Sequence, residues 1–130
     1  MTGGLLDTSV FIAREQARPL AALPREVSIS VVTLGELELG VLTAKDRDTR
    51  ARRAATLSAA RAVDPIPIVE ATMTAFSSLV HDCRTVGLRP EILDALIAAT
   101  AIERGVPVVT QDEDFIKMAR AHSPLTVESV

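Results

Sequence analysis

The sequence has few aromatic residues and a single cysteine, and both shortages restrict what the chain can be. Its 130 residues include three Phe but no Trp or Tyr, although 48% of them are hydrophobic. The core must therefore consist of Ala, Val, Leu and Ile, which favours close packing of helices against a sheet over a large aromatic-lined cavity. Because Cys83 is the only cysteine, an intrachain disulfide and a metal site made of several thiolates are excluded.

Long apolar segments are also absent. No uninterrupted stretch approaches the ~18 apolar residues of a membrane span. Asp7 interrupts the first apolar run, and no basic segment precedes it, unlike the pattern of a signal peptide. We therefore expect a soluble, cytoplasmic protein with no membrane partner. Because 130 residues suit one folding unit, we also expect residues 1–130 to form a single domain.

Positive charge is scarce except in one segment. The formal net charge is −3, yet residues 45–61 contain six basic residues and two acids, which gives this segment a charge of about +4. The segment is either a solvated helix face or an electrostatic footprint for a polyanion such as a nucleic acid. The charge pattern leaves both interpretations open.

Strand-like and helix-like segments alternate along the chain. Extended patterns occur at residues 5–6, 27–30, 66–69, 107–110 and 125–127. Helical patterns separate them, the clearest running from Pro90 to Gly105. This alternation predicts an α/β fold with a short, mainly parallel sheet and helices on both of its faces. In such folds, ligand sites lie beyond the carboxyl ends of the strands.

Acidic residues stand at that edge of the predicted sheet. Asp7 and Asp112 each follow an apolar strand directly. Asp94 is the only charge between Glu91 and Glu103 in an apolar helix, so we expect its side chain to point into a cleft or a polar core. An N-cap role is not expected for Asp94, because Pro90 starts the helix too early. A buried structural hydrogen bond remains the alternative.

One further acid lies beside the apolar face of a predicted helix. Glu36 flanks the face formed by Leu34, Leu37 and Val41. Glu38 is about 200° around the helix from Glu36, so the two cannot point into one site. Spacing alone does not decide between them.

Four clustered acids would need a counter-charge. Two carboxylates ~5 Å apart repel each other by about 3 kcal/mol at an effective dielectric constant near 20. Several such pairs approach the whole stability of a domain, roughly 5–15 kcal/mol. A hard divalent cation is the natural partner for an all-oxygen site of this kind.

Four segments occur in the order found in PIN-domain nucleases, and the sequence most resembles the VapC toxins of bacterial toxin–antitoxin pairs. The segments are LLDTSVFI, TLGELELG, LDALIAATA and VVTQDEDF, and the resemblance extends from Leu5 to Val127. It implies Mg²⁺- or Mn²⁺-dependent hydrolysis of phosphodiester bonds in a cellular RNA, with inhibition of translation and growth. The RNA could be a tRNA, a ribosomal RNA or a messenger.

The same resemblance implies roles for particular residues. The catalytic acids would be Asp7, Glu36, Asp94 and Asp112, since the family pattern E-L-x-x-G selects Glu36 over Glu38. Three of them would bind the metal directly, and Glu36 would act through a water molecule. Supporting roles fall to Thr8, Ser9, Thr110 and the accessory acid Asp114. Charge adds candidates for holding the RNA backbone: Arg14, Lys45, Arg47 and Arg50.

The resemblance also implies partners. These are a VapB-type antitoxin and a second copy of the chain, and a larger toxin–antitoxin assembly could follow. The apolar segments 31–42 and 72–79 are candidate contact surfaces. A non-catalytic interaction module with the same fold is the alternative function.

Two other families with an acidic residue at the end of a strand match this sequence less well. A haloacid-dehalogenase-type phosphatase needs a second Asp where Ser9 stands, and a receiver domain needs a lysine directly after a late strand. His81 and His122 lie outside the four segments, so we predict that both are surface residues.

Overall fold

The computed structural model describes residues 3–130, and within them the chain forms four strands and six helices. In chain order they are β1 (Gly3–Leu6), α1 (Thr8–Glu15), β2 (Glu26–Ser28), α2 (Val31–Leu42), α3 (Arg47–Ala60), α4 (Glu70–Thr85), α5 (Ile92–Arg104), β3 (Val108–Thr110), α6 (Glu113–Ala121) and β4 (Val127–Ser129). None of these helices combines the length and the apolarity that crossing a bilayer requires.

The four strands form one sheet in the order β2-β1-β3-β4, and every pairing between them is parallel. In its centre, Leu5 pairs with Val108 and Leu6 with Val109. The predicted α/β fold is thereby confirmed. The extended segment 66–69 contributes only an isolated bridge between Ser30 and Ile66, where Pro67 limits further pairing.

Alternation along the central strands creates a core on each side of the sheet. Leu5 and Val108 belong to the core packed by α4, α5 and α6. Leu6 and Val109 belong to the second core, packed by α1, α2 and α3. Successive strand side chains point to opposite faces, so each central strand contributes to both cores. The helices on both faces leave the carboxyl edge of the sheet as the place where acids can gather.

Close packing at β1 leaves no space for a side chain at Gly4. A Cβ there would lie 2.5 Å from Val109 Cγ2 and 3.1 Å from Pro24 Cγ. Val109 is fully buried and β-branched, so it cannot move aside easily. We expect Gly4→Ala to lower the free energy of unfolding by about 1–3 kcal/mol in urea denaturation.

Gly35→Ala is the matched control for that change. Gly35 is exposed in α2 and a Cβ there meets nothing within 4 Å. Alanine should stabilise the helix at this position by about 0.5–1 kcal/mol. Equal effects of the two substitutions would contradict the close approach of Val109 to Gly4.

Candidate metal centre

Two acids at the carboxyl edge of the sheet are also helix N-caps. Asp7 follows β1, and its Oδ2 accepts a hydrogen bond from the Ser9 amide at 3.3 Å at the start of α1. Asp112 follows β3, and its Oδ1 accepts from the Asp114 amide at 2.9 Å at the start of α6. Capping uses one oxygen of each carboxylate, which leaves the other available for a cation.

Hydroxyl groups hold Asp7 in place. Thr110 donates to Asp7 Oδ2 at 2.8 Å, and the Thr110 oxygen accepts from the Asp112 amide at 2.9 Å. Ser9 Oγ lies 3.1 Å from Thr110 Oγ1. Because the Thr110 proton is directed at Asp7, Ser9 is the donor in this contact. Asp7 is only 3% exposed, and burial raises its pKa against the opposing effect of these hydrogen bonds.

Glu36 enters the site from α2. Thr8 donates to Glu36 Oε1 at 2.7 Å, and the same hydroxyl lies 3.2 Å from the buried Thr33. Partial burial raises the pKa of Glu36, and the charges of Asp7 and Glu91 add to this effect. Glu38 instead forms an exposed ion pair with Arg61 at 3.1 Å, on another side of the helix.

Asp94 stands in the first turn of α5 and is not its N-cap, as expected, although the helix starts two residues later than Pro90 predicts. The helix begins at Ile92, and Glu91 is its N-cap, accepting from the Asp94 amide at 3.1 Å. Burial raises the pKa of Asp94 to about 7, and the charges of four acids add to it: Glu91, Asp7, Asp112 and Glu36. All four predicted acids therefore lie close enough to interact.

The tightest group of carboxylates consists of Asp94, Asp112 and Asp114, whose ligand oxygens all lie within 4.8 Å of one another. Opposite ligands of an octahedral Mg²⁺ lie about 4.2 Å apart, so small side-chain adjustments would bring these oxygens into one coordination shell. The donors are all hard oxygens, as Mg²⁺ and Mn²⁺ prefer. Asp114, expected to be an accessory acid, belongs to this group, whereas Asp7 lies deeper.

Sequence reasoning missed several residues around the acids. Glu91 was placed inside the helix, yet its capping position brings its charge to Asp94 and Glu36. Lys117 lies one turn after Asp114, with Nζ 3.6 Å from Asp114 Oδ1. The i,i+3 spacing in a helix could have revealed Lys117. No sequence signal marked Thr33, which reaches Thr8 across 25 residues of chain.

The predicted RNA-binding residues do not contribute to the three cavities described for residues 3–130 beside the acids. None of Arg14, Lys45, Arg47 and Arg50 lines them. Arg50 donates to the Ala44 carbonyl at 3.3 Å, and Arg53 donates to the Gly40 carbonyl at 2.7 Å. Part of the basic segment thus stabilises the junction of α2 and α3. The RNA-binding role of the four residues stays a prediction.

The prediction for His122 was wrong. Its side chain is only 4% exposed, and Nδ1 lies 2.7 Å from Asp82 Oδ2, which ties the end of α6 to α4. His81 is exposed, as predicted. The sequence offered no signal for His122, because its partner is 40 residues away.

A parallel sheet with acids collected at its carboxyl edge defines a class of α/β domains that can hold a divalent cation there. The chain belongs to the PIN-domain family, whose sequence pattern matches residues 4–121. Ribonuclease VapC8 of Mycobacterium tuberculosis (strain ATCC 25618 / H37Rv) is 57% identical over 100 residues, which are 75% of this chain and 89% of that protein. Ribonuclease VapC5 of the same strain is 43% identical over 122 residues, 92% of this chain and 90% of the relative.

Solved structures agree with this assignment. A crystal structure of VapBC-5, a member of the VapBC family of toxin–antitoxin systems from Mycobacterium tuberculosis, superposes with a TM-score of 0.84. The two chains share 38% sequence identity, and the match covers 100% of this chain and 98% of the other. The resemblance recognised in the four sequence segments is thereby confirmed.

Proposed function

We propose that this chain, as one PIN domain over residues 1–130, is a Mg²⁺- or Mn²⁺-dependent endoribonuclease and the toxin of a VapBC-type pair. The convergence of Asp7, Glu36, Asp94 and Asp112 at one edge of the sheet carries the proposal. Relatives named ribonuclease VapC, at 43–57% identity, support RNA as the substrate.

The residues at this site would have different roles in the reaction. When bound, the divalent ion would polarise the scissile phosphate and lower the pKa of the attacking water. Asp94, Asp112 and Asp114 would hold the ion, with Asp7 behind them. Thr110 keeps Asp7 in one orientation, so the site is preorganised before substrate arrives.

Glu36 would act on water rather than on the ion. Its carboxylate is anchored by Thr8 at 2.7 Å and its pKa is raised, chiefly by burial. A carboxylate with a raised pKa is a stronger base, so Glu36 is suited to bind the attacking water and accept its proton.

The test is cleavage of a mixed pool of bacterial RNA by purified protein. We expect cleavage with Mg²⁺ or Mn²⁺, none after chelation, and a loss of at least about 10³-fold in Asp7→Asn, as for removal of one central catalytic group. Asp64→Asn, at an exposed site outside the cluster, is the matched control. Cleavage that survives in Asp7→Asn at full rate would reject the assignment.

The surface beside Glu36 suits the antitoxin. A cavity of about 420 Å³ lies between α1, α2 and the start of α5, lined by Ile12, Leu39 and Leu93 among others. Leu39 is 59% exposed and Leu42 beside it is 78% exposed, which is unusual for leucines that meet only water. We assign this apolar groove to a segment of a VapB-type antitoxin, and contacts between two copies of the chain to the remaining apolar surfaces.

We expect Leu39→Glu to weaken binding of a co-expressed VapB-type antitoxin by roughly 10-fold or more, because a charge would enter an apolar contact. Met73→Glu is the control, since Met73 is 40% exposed on α4 and does not line the groove. Binding is measured by titration of labelled antitoxin, and RNA cleavage by free Leu39→Glu should persist. Equal weakening by both substitutions would place the antitoxin elsewhere.

A further inference from the structure

A second cavity, of about 570 Å³, is lined by Asp112 and shares no lining residue with the apolar groove. Its wall contains Ser9, Gln111 and the three consecutive acids 112–114, together with two cationic side chains, Arg18 and Lys117. No aromatic residue lines it, so stacking of bases plays no part there. The cavity therefore joins the acidic group to two cations at a place that the basic segment 45–61 does not reach.

The position of Arg18 is fixed by an unusual turn. After α1 ends, the Ala17 amide donates to the Arg14 carbonyl at 3.2 Å and the Arg18 amide to the Ala13 carbonyl at 2.8 Å. These two hydrogen bonds form a Schellman motif, which places residue 17 in the left-handed region. Ala17 adopts φ 54°, where glycine is the usual residue and the Cβ of alanine crowds the following carbonyl oxygen.

Gln111 secures the same turn from the other side. Its side-chain amide Nε2 donates to the Pro19 carbonyl at 2.9 Å and to the Val130 carbonyl at 3.1 Å. Its backbone amide donates to Ser9 Oγ at 3.0 Å. One residue of the β3 edge thus links the acid network to the loop that carries Arg18.

Lys117 stands opposite on α6. It lines the second cavity and also a third, smaller one that contains Asp94 and Asp114. Around the second cavity, three acids face two cations, so an anion alone would be repelled. A divalent cation held by the acids would reverse the sign of the local charge, and only then would Arg18 and Lys117 attract a phosphate.

We propose that Arg18 and Lys117 hold a backbone phosphate of the RNA next to the scissile one, and that Gln111 is a positioning residue for Arg18. The inference rests on the proposed function and identifies how the substrate lies in that site. A guanidinium can bind two phosphate oxygens at once, and an ammonium adds a point charge. The substrate strand then passes over the start of α6 rather than along α3.

The experiment measures KM and kcat for a short fluorescent RNA that the wild type cleaves in Mn²⁺. We expect Arg18→Gln and Lys117→Gln each to raise KM about 10-fold with kcat changed less than 2-fold, because contacts to a remote phosphate bind ground and transition states alike. Each should reduce the salt dependence of log(1/KM) by about one unit of slope. Gln111→Met, which removes both amide donors, should raise KM about 3-fold.

Two further readouts separate this role from others. The Mn²⁺-dependent rise in melting temperature should be the same in Arg18→Gln and wild type, since Arg18 does not bind the ion. In Lys117→Gln the rise should be no smaller, because Lys117 Nζ lies 3.6 Å from Asp114 Oδ1 and its positive charge opposes binding of the ion. The double variant Arg25→Gln/Arg84→Gln should leave KM within 2-fold. It is the matched control because it also removes two exposed cations, neither of which lines the described cavities.

The contrary outcomes are distinct. Unchanged KM in Arg18→Gln and Lys117→Gln, with active wild type, overturns the phosphate assignment alone. An equal rise in KM for the Arg25/Arg84 double variant shows a diffuse charge effect and overturns it too. Weaker antitoxin binding with unchanged KM would give the cavity to the protein partner. A wild type that cleaves no RNA overturns the proposed function and this inference with it.

Discussion

Mn²⁺ should raise the melting temperature of the wild-type protein, and Asp94→Asn should abolish most of that rise. At a concentration 100-fold above the dissociation constant, a bound ion adds about 2.7 kcal/mol to the stability of the folded state. For 130 residues this corresponds to a shift of roughly 10 °C. Asp94 belongs to the group of three carboxylates within 4.8 Å, so its loss removes a ligand and a charge together. Thermal denaturation with and without Mn²⁺ measures the effect without any RNA.

Without metal, the difference in stability between wild type and Asp94→Asn should reverse. At 4.8 Å, two carboxylates repel by about 3 kcal/mol at an effective dielectric constant of 20, and water at this partly open site reduces the net effect to about 1 kcal/mol. Asp94→Asn removes one such charge, so metal-free Asp94→Asn should be at least as stable as metal-free wild type. Asp64→Asn is again the control and should behave like wild type in both conditions.

The pH dependence of metal-free stability provides a second check on Asp94. Burial raises its pKa from the ordinary value of 3.8 to about 7, so the folded state binds a proton more tightly than the unfolded state does. Stability should therefore fall as pH rises between those two values and level off above about pH 7. Asp7 and Glu36 have raised pKa values too and act in the same direction. Asp94→Asn should make the fall shallower.

Deprotonation also controls metal binding, because the ion competes with protons for the same oxygens. The Mn²⁺-dependent rise in melting temperature of the wild type should consequently grow between about pH 5.5 and about pH 8. The raised pKa of Asp94 sets this range. No rise in wild type at any pH, together with a destabilised Asp94→Asn, would make Asp94 a structural residue. The interaction-module alternative would then replace the nuclease.

Phe115→Ala should lower the free energy of unfolding by about 3–5 kcal/mol, the usual cost of removing a buried aromatic ring. Phe115 is fully buried in the core formed by α4, α5 and α6, where Val108 and Leu125 also lie. Typical domains have a free energy of unfolding of only about 5–15 kcal/mol, so this substitution would remove a large part of the stability. The same ring anchors α6, which carries Asp114 and Lys117, so Mn²⁺ affinity should fall as well.

Two variants control for the size of that effect. Phe115→Leu keeps most of the volume and should cost less than about 1.5 kcal/mol. Phe76→Ala removes the same ring from a half-buried position at the edge of the same core, so its cost should be clearly smaller. Urea denaturation of metal-free protein gives all three values. If the Phe115→Ala protein were as stable as the Phe76→Ala protein or more so, the anchoring role of Phe115 would be contradicted.

Three of the four acids could be found in the sequence because each has a strong local signal, whereas the family pattern was needed to choose Glu36 over Glu38. Asp7 and Asp112 directly follow apolar strands, and Asp94 is a lone charge in an apolar helix. Their convergence follows from strand polarity, since parallel strands end at the same edge. The turn held by Gln111 and the partly buried pair of His122 and Asp82 had no such signal, because both join residues far apart in the chain.

The sequence patterns alone were sufficient for the parallel sheet, for most of its strands and helices, and for the identity of Asp7, Asp94 and Asp112. Hydrophobic periodicity and residues that end helices or strands act over a few positions, so they can be read directly from the sequence. Three features became visible only in the folded chain: Asp114 joins the tight cluster, Glu91 adds its charge to Asp94, and Arg18 and Lys117 share a cavity. These facts depend on how helices rotate and pack on the sheet, and a change of one helical position, about 100°, moves a side chain from one surface to another.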